Sequence, residues 1–488
     1  MASSGAPRRV AIVGGGVGGL ATAIRMSSAG HAVELFERNP IVGGKLATLQ
    51  RDGFTFDIGP SLVTWPDVFD DLFRCAGTSL AEQLDLVRLD PQFHYSWPDD
   101  STLVVHDKPQ QTEQAFERFA PGAGADWRRF DQRAERIWEV ARRTFFAGPM
   151  TGPLALAGRM RSPSDLTAID PLRTLDSAAR GCFDDHRLIQ WAGRYATYSG
   201  SSPYRAPATL ACIPHLESAH GCWYPMGGLD AIRAALEATA RRLGTQIRTN
   251  TEVTRIVSGP HRVTGVELAD GGCVPADIVV ANVDAQHLYR DLLPQPGALR
   301  RVRRAPRSTS GFVMCVGAAN EPSRAVGHHN VWFSSDERRE FAALEAGRLA
   351  DEPTIYACVS SMTDASQAPS GHENWFLLVN TPPGAHIDRD AYASLIFEQL
   401  AVRGVDLRTN AQFVETLTPT DIAERYRSPG GAIYGTSSDG RRAAFLRPAN
   451  RGTRAGLYLV GGSSHPGGGL PLVVTSARIV ADLIAEDL

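Results

Sequence analysis

The sequence predicts an α/β protein. A Rossmann-like nucleotide-binding domain is built discontinuously, from the start, middle and end of the chain, and is joined to an α+β domain with a mixed sheet. Three observations carry this. A G-x-G-x-x-G turn lies between a strand-like and a helix-like run near residue 14. A second glycine-rich loop, "GGSSHPGGGLPLVVTSARIVADLI" (461–484), runs into a helix near the other end. Four aromatic and β-branched segments crowd residues 310–380, where a sheet is expected. At 488 residues the chain also exceeds what one hydrophobic core usually serves.

The first turn belongs to "VAIVGGGVGGLATAIRMSSAGHAVELFERN", which reads as strand, turn, helix, strand. Gly14 permits the tight turn, Gly16 lets a pyrophosphate approach the backbone, and Gly19 lets helix and strand pack closely. Val17 and Gly18 open the helix, whose N-terminus suits an anion, and Gly30 stops it. Glu37, 18 residues after Gly19 (37 − 19), stands where a carboxylate accepts hydrogen bonds from an adenosine ribose, with Arg38 beside it. This fingerprint does not choose between NAD and FAD.

In the middle, "GCWYPMGGLDAIRAALEATARRLG" has helical spacing from Leu229 to Leu243, with Gly244 as a stop. Short strands broken by Gly-Pro and Asp-Gly-Gly turns follow, and "ADIVVANVDA" returns as a buried strand. The last loop supplies Gly462 and Gly469, then Leu470 and Pro471 at the first turn of a helix, where proline costs no hydrogen bond. The expected organisation is nucleotide-binding segments at 1–90, 221–298 and 446–488. A mainly helical part fills 91–220 and the sheet domain 299–445.

Apolar residues make up 43% of the chain and its net charge is −3, a soluble globular profile with no electrostatic reason for a nucleic-acid partner. Seven scattered cysteines without a CxxC pair argue against a disulfide framework or a zinc site and fit a reducing cytoplasm. "MASSGAPRR" followed by an apolar run imitates a secretory signal, but the glycines in that run have the better explanation above. No stretch of about 18 apolar residues suggests a membrane span.

Residues 137–160 admit two readings. Trp138, Phe145, Phe146, Met150, Leu154 and Leu156 alternate with arginines, as in a surface segment dipping into a bilayer. Equally, they suit a buried helical hairpin broken at Gly148–Pro149. The location expected is therefore cytoplasmic, with peripheral membrane contact under the first reading. The adjacent histidines His328 and His329 have no third ligand at metal spacing and are expected in a solvated turn, so no metal is assigned. His465 reads either as an acid–base group or as a loop anchor.

Beyond Glu37 the sequence resembles the FAD-dependent oxidoreductases of the amine-oxidase and phytoene-desaturase superfamily. Gly43, Gly44 and Lys45 match its G-G-R/K segment; Gly53, Asp57, Gly59 and Pro60, followed by Ser61, match its "G-F-x-F-D-x-G-P" segment. The resemblance implies that these loops lie along the FAD pyrophosphate and approach the flavin, and that Val253 packs on the adenine. "HPGGGLPLVVTSA" resembles the C-terminal signature of bacterial carotenoid desaturases of the phytoene-desaturase type. FAD is long, so a second loop at its redox end answers a need. A positive helix end there stabilises the negative charge of reduced flavin. "GRYATYSGSSPYRAPATL" (193–210) is similar to hydroxyneurosporene and methoxyneurosporene desaturases, the 1-hydroxycarotenoid 3,4-desaturases; Tyr195, Tyr198 and Tyr204 are its candidate substrate contacts.

The resemblance implies a flavin-dependent desaturation of a long apolar isoprenoid, with reduced flavin reoxidised by a quinone or oxygen. The proton acceptor cannot be read from the residues. Alternatives are a related flavoenzyme (ketolase, isomerase, saturase or amine oxidase) and a non-catalytic prenyl-binding escort.

Overall fold

The computed structural model describes residues 6–321, 324–440 and 443–488. Five short parallel strands form one sheet, in the order Leu457–Leu459, Ile278–Ala281, Arg9–Val13, Ala32–Phe36, Gln246–Arg248. Distant parts of the chain thus meet around a central Arg9–Val13. Because side chains alternate across a strand, its two faces divide the core. Val10 and Ile12 pack with Leu20, Ile24, Leu236 and Val474 under the helices Val17–Ser28, Asp230–Arg242 and Leu470–Asp487. Ala11 and Val13 face the opposite way, onto Ile256 and Val266 of a three-stranded antiparallel sheet and onto Leu288 and Leu292. Strands covered on both faces must be apolar throughout, and Ile278–Ala281 is buried along its whole length.

The second sheet has seven strands, in the order Ala411–Leu417, Ser310–Ala319, His372–Thr381, Ile355–Val359, His329–Trp332, Phe93–Ser96, Thr102–Val105. It is mixed: the pairing is antiparallel except where Asn330–Trp332 runs parallel to His94–Ser96. The four segments expected between 310 and 380 are four of these strands. Two others come from the stretch read as mainly helical. They are only four residues long, and "FHYS" shows the alternation of a half-buried strand between prolines. One face of the sheet packs Phe312, Met314, Trp375 and Leu377 under the helix Arg389–Val402. The other packs Val313, Phe376 and Leu378 with Phe54, Phe56 and Phe413.

In the 137–160 stretch the helix Ala123–Thr144 buries Ile137, Trp138 and Ala141, and Trp138 stands edge-on to Trp65 at 4.8 Å. Met150 is still buried at 5% exposure, but over 151–160 burial is lost, and Leu154 is 89% exposed. Among the described residues no helix is long and apolar enough to cross a membrane.

Candidate active site

A cavity of about 490 Å³ lies between the two sheets and joins the two glycine loops. The cofactor positions singled out in the sequence line it except Gly19 and the motif positions Gly53 and Asp57: Gly14, Gly16, Val17, Gly18, Glu37, Arg38, Gly43, Gly44, Lys45, Gly59, Pro60, Ser61, Val253, Gly462, Gly469, Leu470 and Pro471 do so, while Asp57 accepts from Tyr224 and the Leu229 N–H.

Gly19 is excluded for a physical reason. A Cβ built on it would lie 2.2 Å from the Gly14 carbonyl oxygen, so the turn closes directly over it. Gly14 itself has φ +98°, and its N–H donates to the Phe36 carbonyl at 2.8 Å, tying the turn to the second strand. Glu37 at that strand's end is 6% exposed. It accepts from the Gly15 N–H and from the backbone and side-chain N–H groups of Asn39, each at 2.8 Å. The residue lines the cavity. Arg38, also on the lining, donates to the carbonyls of Glu424 and Arg425.

Asn282, at the end of Ile278–Ala281, sits between the two loops. Its Nδ2 donates to the Gly14 carbonyl at 3.0 Å. A Cβ on Gly18 or on Gly461 would come within 2.7 or 2.6 Å of its Oδ1. One amide therefore sets the separation of the two glycine turns, and neither turn tolerates a side chain there. The Gly43 N–H donates to the Gly15 carbonyl at 2.8 Å, laying the third loop against the first. A Cβ on Gly59 would stand 1.8 Å from the Lys45 carbonyl oxygen. Three backbones approach one another without side chains between them, and two helix N-termini (Gly16, Gly469) open into the gap with no side-chain cap. Such a cradle fits a dinucleotide pyrophosphate and the flavin beyond it.

Lys45 is enclosed among these loops. Its Nζ donates to the carbonyls of Ile433 (2.5 Å) and Ala432 (3.2 Å). Burial lowers its pKa to about 8, against the opposing pull of the Asp284 carboxylate, and Arg307 lowers it further. Asp284 and Arg307 form a pair at 3.1 Å. Arg447, buried behind the last loop, donates to the carbonyls of Gly462 and Thr436 at 3.0 and 2.8 Å. His465 does not line the cavity. It is 1% exposed, its Nε2 lies 3.1 Å from the Gly148 carbonyl oxygen, and burial pushes its pKa down to about 4, as befits a loop anchor.

The far wall sets apolar Val313, Val331, Phe333, Phe376 and Leu378 among the polar Arg194, Glu337 and Asn380. Of the three candidate tyrosines only Tyr198 reaches it. Tyr195, 1% exposed, stands behind Tyr198 in the core. Tyr204 donates to Glu337 at 2.9 Å. Tyr195 and Tyr198 both donate to the buried carboxylate of Glu217, at 2.8 and 2.6 Å. Arg194 lies over the rings of Phe93, Tyr95, Tyr195 and Tyr198, and donates to the Tyr95 hydroxyl at 3.1 Å.

The expectation for His328 and His329 is overturned. They are 4% and 0% exposed, not solvated, because His329 is paired in a central strand and its ring stacks on Phe93 at 4.9 Å. The strand register sets His329 opposite Cys358, so one ring nitrogen of each histidine and that thiol lie within 4.8 Å of one another. Spacing along the sequence could not reveal this partner, nor Asn282, Glu217 or Arg194.

The family of flavin-containing amine oxidoreductases matches residues 17–485. Hydroxyneurosporene desaturase of Cereibacter sphaeroides is 36% identical over 488 residues, covering 98% of both chains. 4,4'-Diapolycopene oxygenase of a Methylomonas species is 34% identical over 497 residues, covering 99% of both. 4,4'-Diaponeurosporene oxygenase of Staphylococcus aureus is 32% identical over 492 residues, covering 98% of both. Among solved structures, an oxidoreductase from Methanosarcina mazei superposes with a TM-score of 0.67 at 17% identity, covering 97% of this chain and all of that one. A fatty acid isomerase from P. acnes gives 0.63 at 14% identity, covering all of this chain and 99% of its own. With the fold, the two-loop cradle and the full-length relatives in agreement, the chain belongs to the flavin-containing amine oxidoreductase family and is an FAD-dependent oxidoreductase.

Proposed function

We propose that this oxidoreductase desaturates a long apolar isoprenoid of the carotenoid class, removing two hydrogens from adjacent carbons. The observation that carries this reading is the cavity itself, in which a polar glycine cradle continues into a largely apolar wall. FAD bound there supplies a two-electron oxidation, with a quinone or oxygen as the final acceptor. The chain's own groups hold and position. The Gly14–Gly19 turn takes the ADP half, Glu37 the ribose and Val253 the adenine side, and the Gly462–Pro471 loop lies at the redox end. The wall of Phe333, Phe376 and Leu378 excludes water and selects the bond by geometry.

A second reading has support, since two of the relatives are oxygenases by name. One experiment separates the two. The holoprotein is incubated with phytoene, neurosporene or 1-hydroxyneurosporene in liposomes, and products are followed by polyene absorbance and mass. Loss of two hydrogens with a red shift supports desaturation. Gain of oxygen supports the second reading, and no conversion sinks both.

Lys45 gives a pH test of cofactor binding. An ammonium beside an anionic ligand holds its proton longer, so binding takes up a proton above about pH 8. FAD affinity of the apoprotein should therefore fall as pH rises from 8 to 10, by up to about tenfold per unit, and Lys45→Met should flatten the profile. Fluorescence titration reads both.

Substrate reaches the site from lipid in this reading. Leu154 (89%), Leu166 (51%) and Leu172 (68%) are exposed around the short helices Pro153–Ala157 and Pro163–Ala168. Changing all three to Ser should reduce liposome flotation and raise KM for liposome-borne polyene. It should leave KM in detergent unchanged.

A further inference from the structure

Desaturation releases a proton into the cavity, and besides the Tyr198–Glu217 pair a second hydrogen-bonded route starts at its wall. Ser61 and Tyr356 both line the cavity, and the Ser61 Oγ lies 2.6 Å from the Tyr356 hydroxyl. That hydroxyl is 2.8 Å from Nδ1 of His329. The His329 Nε2 is buried and without a partner, as is the Nε2 of His328. The two rings stand with centroids 4.5 Å apart, and a ring nitrogen of each lies within 4.8 Å of the other. The His328 Nδ1 is 2.7 Å from the hydroxyl of Thr363, which is half-buried.

We propose that Tyr356 and His329 take up the proton of the reaction and pass it through His328 to Thr363 at the surface. The proposal rests on the desaturase reading. One substrate C–H bond breaks with its electron pair passing to oxidised FAD. The neighbouring C–H bond breaks with its pair becoming the new π bond, and its proton goes to the Tyr356 oxygen while the phenolic proton moves to Nδ1 of His329. The Nε2 proton of His329 then passes to Nε2 of His328 through a water that the relay requires between the two unpartnered atoms, and the Nδ1–H of His328 faces Thr363.

The energetics have the right sign. Burial holds His329 well below its ordinary pKa, helped by His328 and Arg194, and holds His328 at about 3, so both rings are free bases at neutral pH. Cys358, the phenol of Tyr356 and the phenol of Tyr224, whose ring lies 4.6 Å from that of His328 and which donates to Asp57, are the other titratable groups beside them. Such weak bases do not retain a proton. They suffice here because a carbon next to one that has lost hydride is a stronger acid than any imidazolium.

Tyr356→Phe and His329→Gln test this in the holoenzyme. Single-turnover flavin reduction by the liposome-borne polyene should slow by about 10²–10⁴-fold. FAD content and KM should stay within threefold of wild type. A second readout needs no turnover. ¹⁵N NMR of the histidine rings at pH 7 should show His329 neutral, with Nδ1 an acceptor whose resonance moves in Tyr356→Phe. Tyr356→Phe reducing flavin at the wild-type rate overturns the outlet, and so does a charged His329. Stoichiometric zinc in the purified protein, which would occupy a nitrogen of each ring, overturns it as well. Should His329→Gln fail to fold, Tyr356→Phe decides alone. If wild type converts no polyene, the desaturase reading has failed; if wild type converts it and Tyr356→Phe does so equally well, only the outlet has.

Discussion

Replacing Gly19 with valine yields a protein that purifies without flavin. The Gly19 Cβ position is 2.2 Å from the Gly14 carbonyl oxygen, well inside contact distance, and the obstacle is backbone, which cannot rotate away as a side chain can. Room can be made only by moving the Gly14 turn. That turn is pinned by its bond to Phe36 and by the Asn282 amide, so both clamps would have to break. Two lost hydrogen bonds cost about 1 kcal/mol each, with unsatisfied buried groups adding about 1–3 more. The displaced turn would also no longer present its N–H groups to an anion. The expected result is a fall in bound FAD of more than about tenfold, read as the ratio of flavin to protein absorbance. Full flavin occupancy in the variant would show that the first turn does not hold the cofactor.

Removing the Glu217 carboxylate is expected to cause the largest loss of stability. Glu217 is 2% exposed and accepts two phenolic hydrogen bonds, and it is the carboxylate whose charge acts on the buried Arg194. Burial pushes its pKa up, while Arg194 and the two tyrosines pull it down. Glu217→Ala leaves a cation among four aromatic rings with two hydroxyls unpaired. Leaving a buried donor unsatisfied costs about 1–3 kcal/mol, and Arg194 also loses the carboxylate charge that acts on it. Tyr198 is both a wall residue and a donor to Glu217, so KM for the polyene should rise as well. Glu217→Gln, which keeps an acceptor, should recover part of the stability. Thermal unfolding of the holoprotein compares the three, and an unchanged midpoint for Glu217→Ala would refute the idea.

What the sequence made legible is local. The first turn, its following helix and Glu37 follow from the spacing of glycines within thirty residues, and the Leu470 helix from a proline at its first turn. The wall of the cavity is different. Whether Tyr195 or Tyr198 faces the interior depends on how a 3-10 turn rotates against a neighbouring strand, which no periodicity encodes. His328 and His329 read as polar and therefore solvated. Strand pairing with Cys358 and stacking on Phe93 bury them, and those partners lie far away in the chain. Asn282 was visible only as the end of a strand, since its contacts with Gly14 and Gly461 exist only once the sheet has formed.

The parallel sheet has a kinetic consequence. Its central strand, Arg9–Val13, pairs on one side with Ile278–Ala281, which in turn pairs with Leu457–Leu459, so native contacts bridge hundreds of residues. Chains organised this way fold slowly, because long loops must close before any strand is rewarded. During that delay the newly made polypeptide offers sticky apolar surface to its neighbours. Riboflavin-fed cultures, grown cool, should therefore return more soluble yellow product than the same cells grown warm.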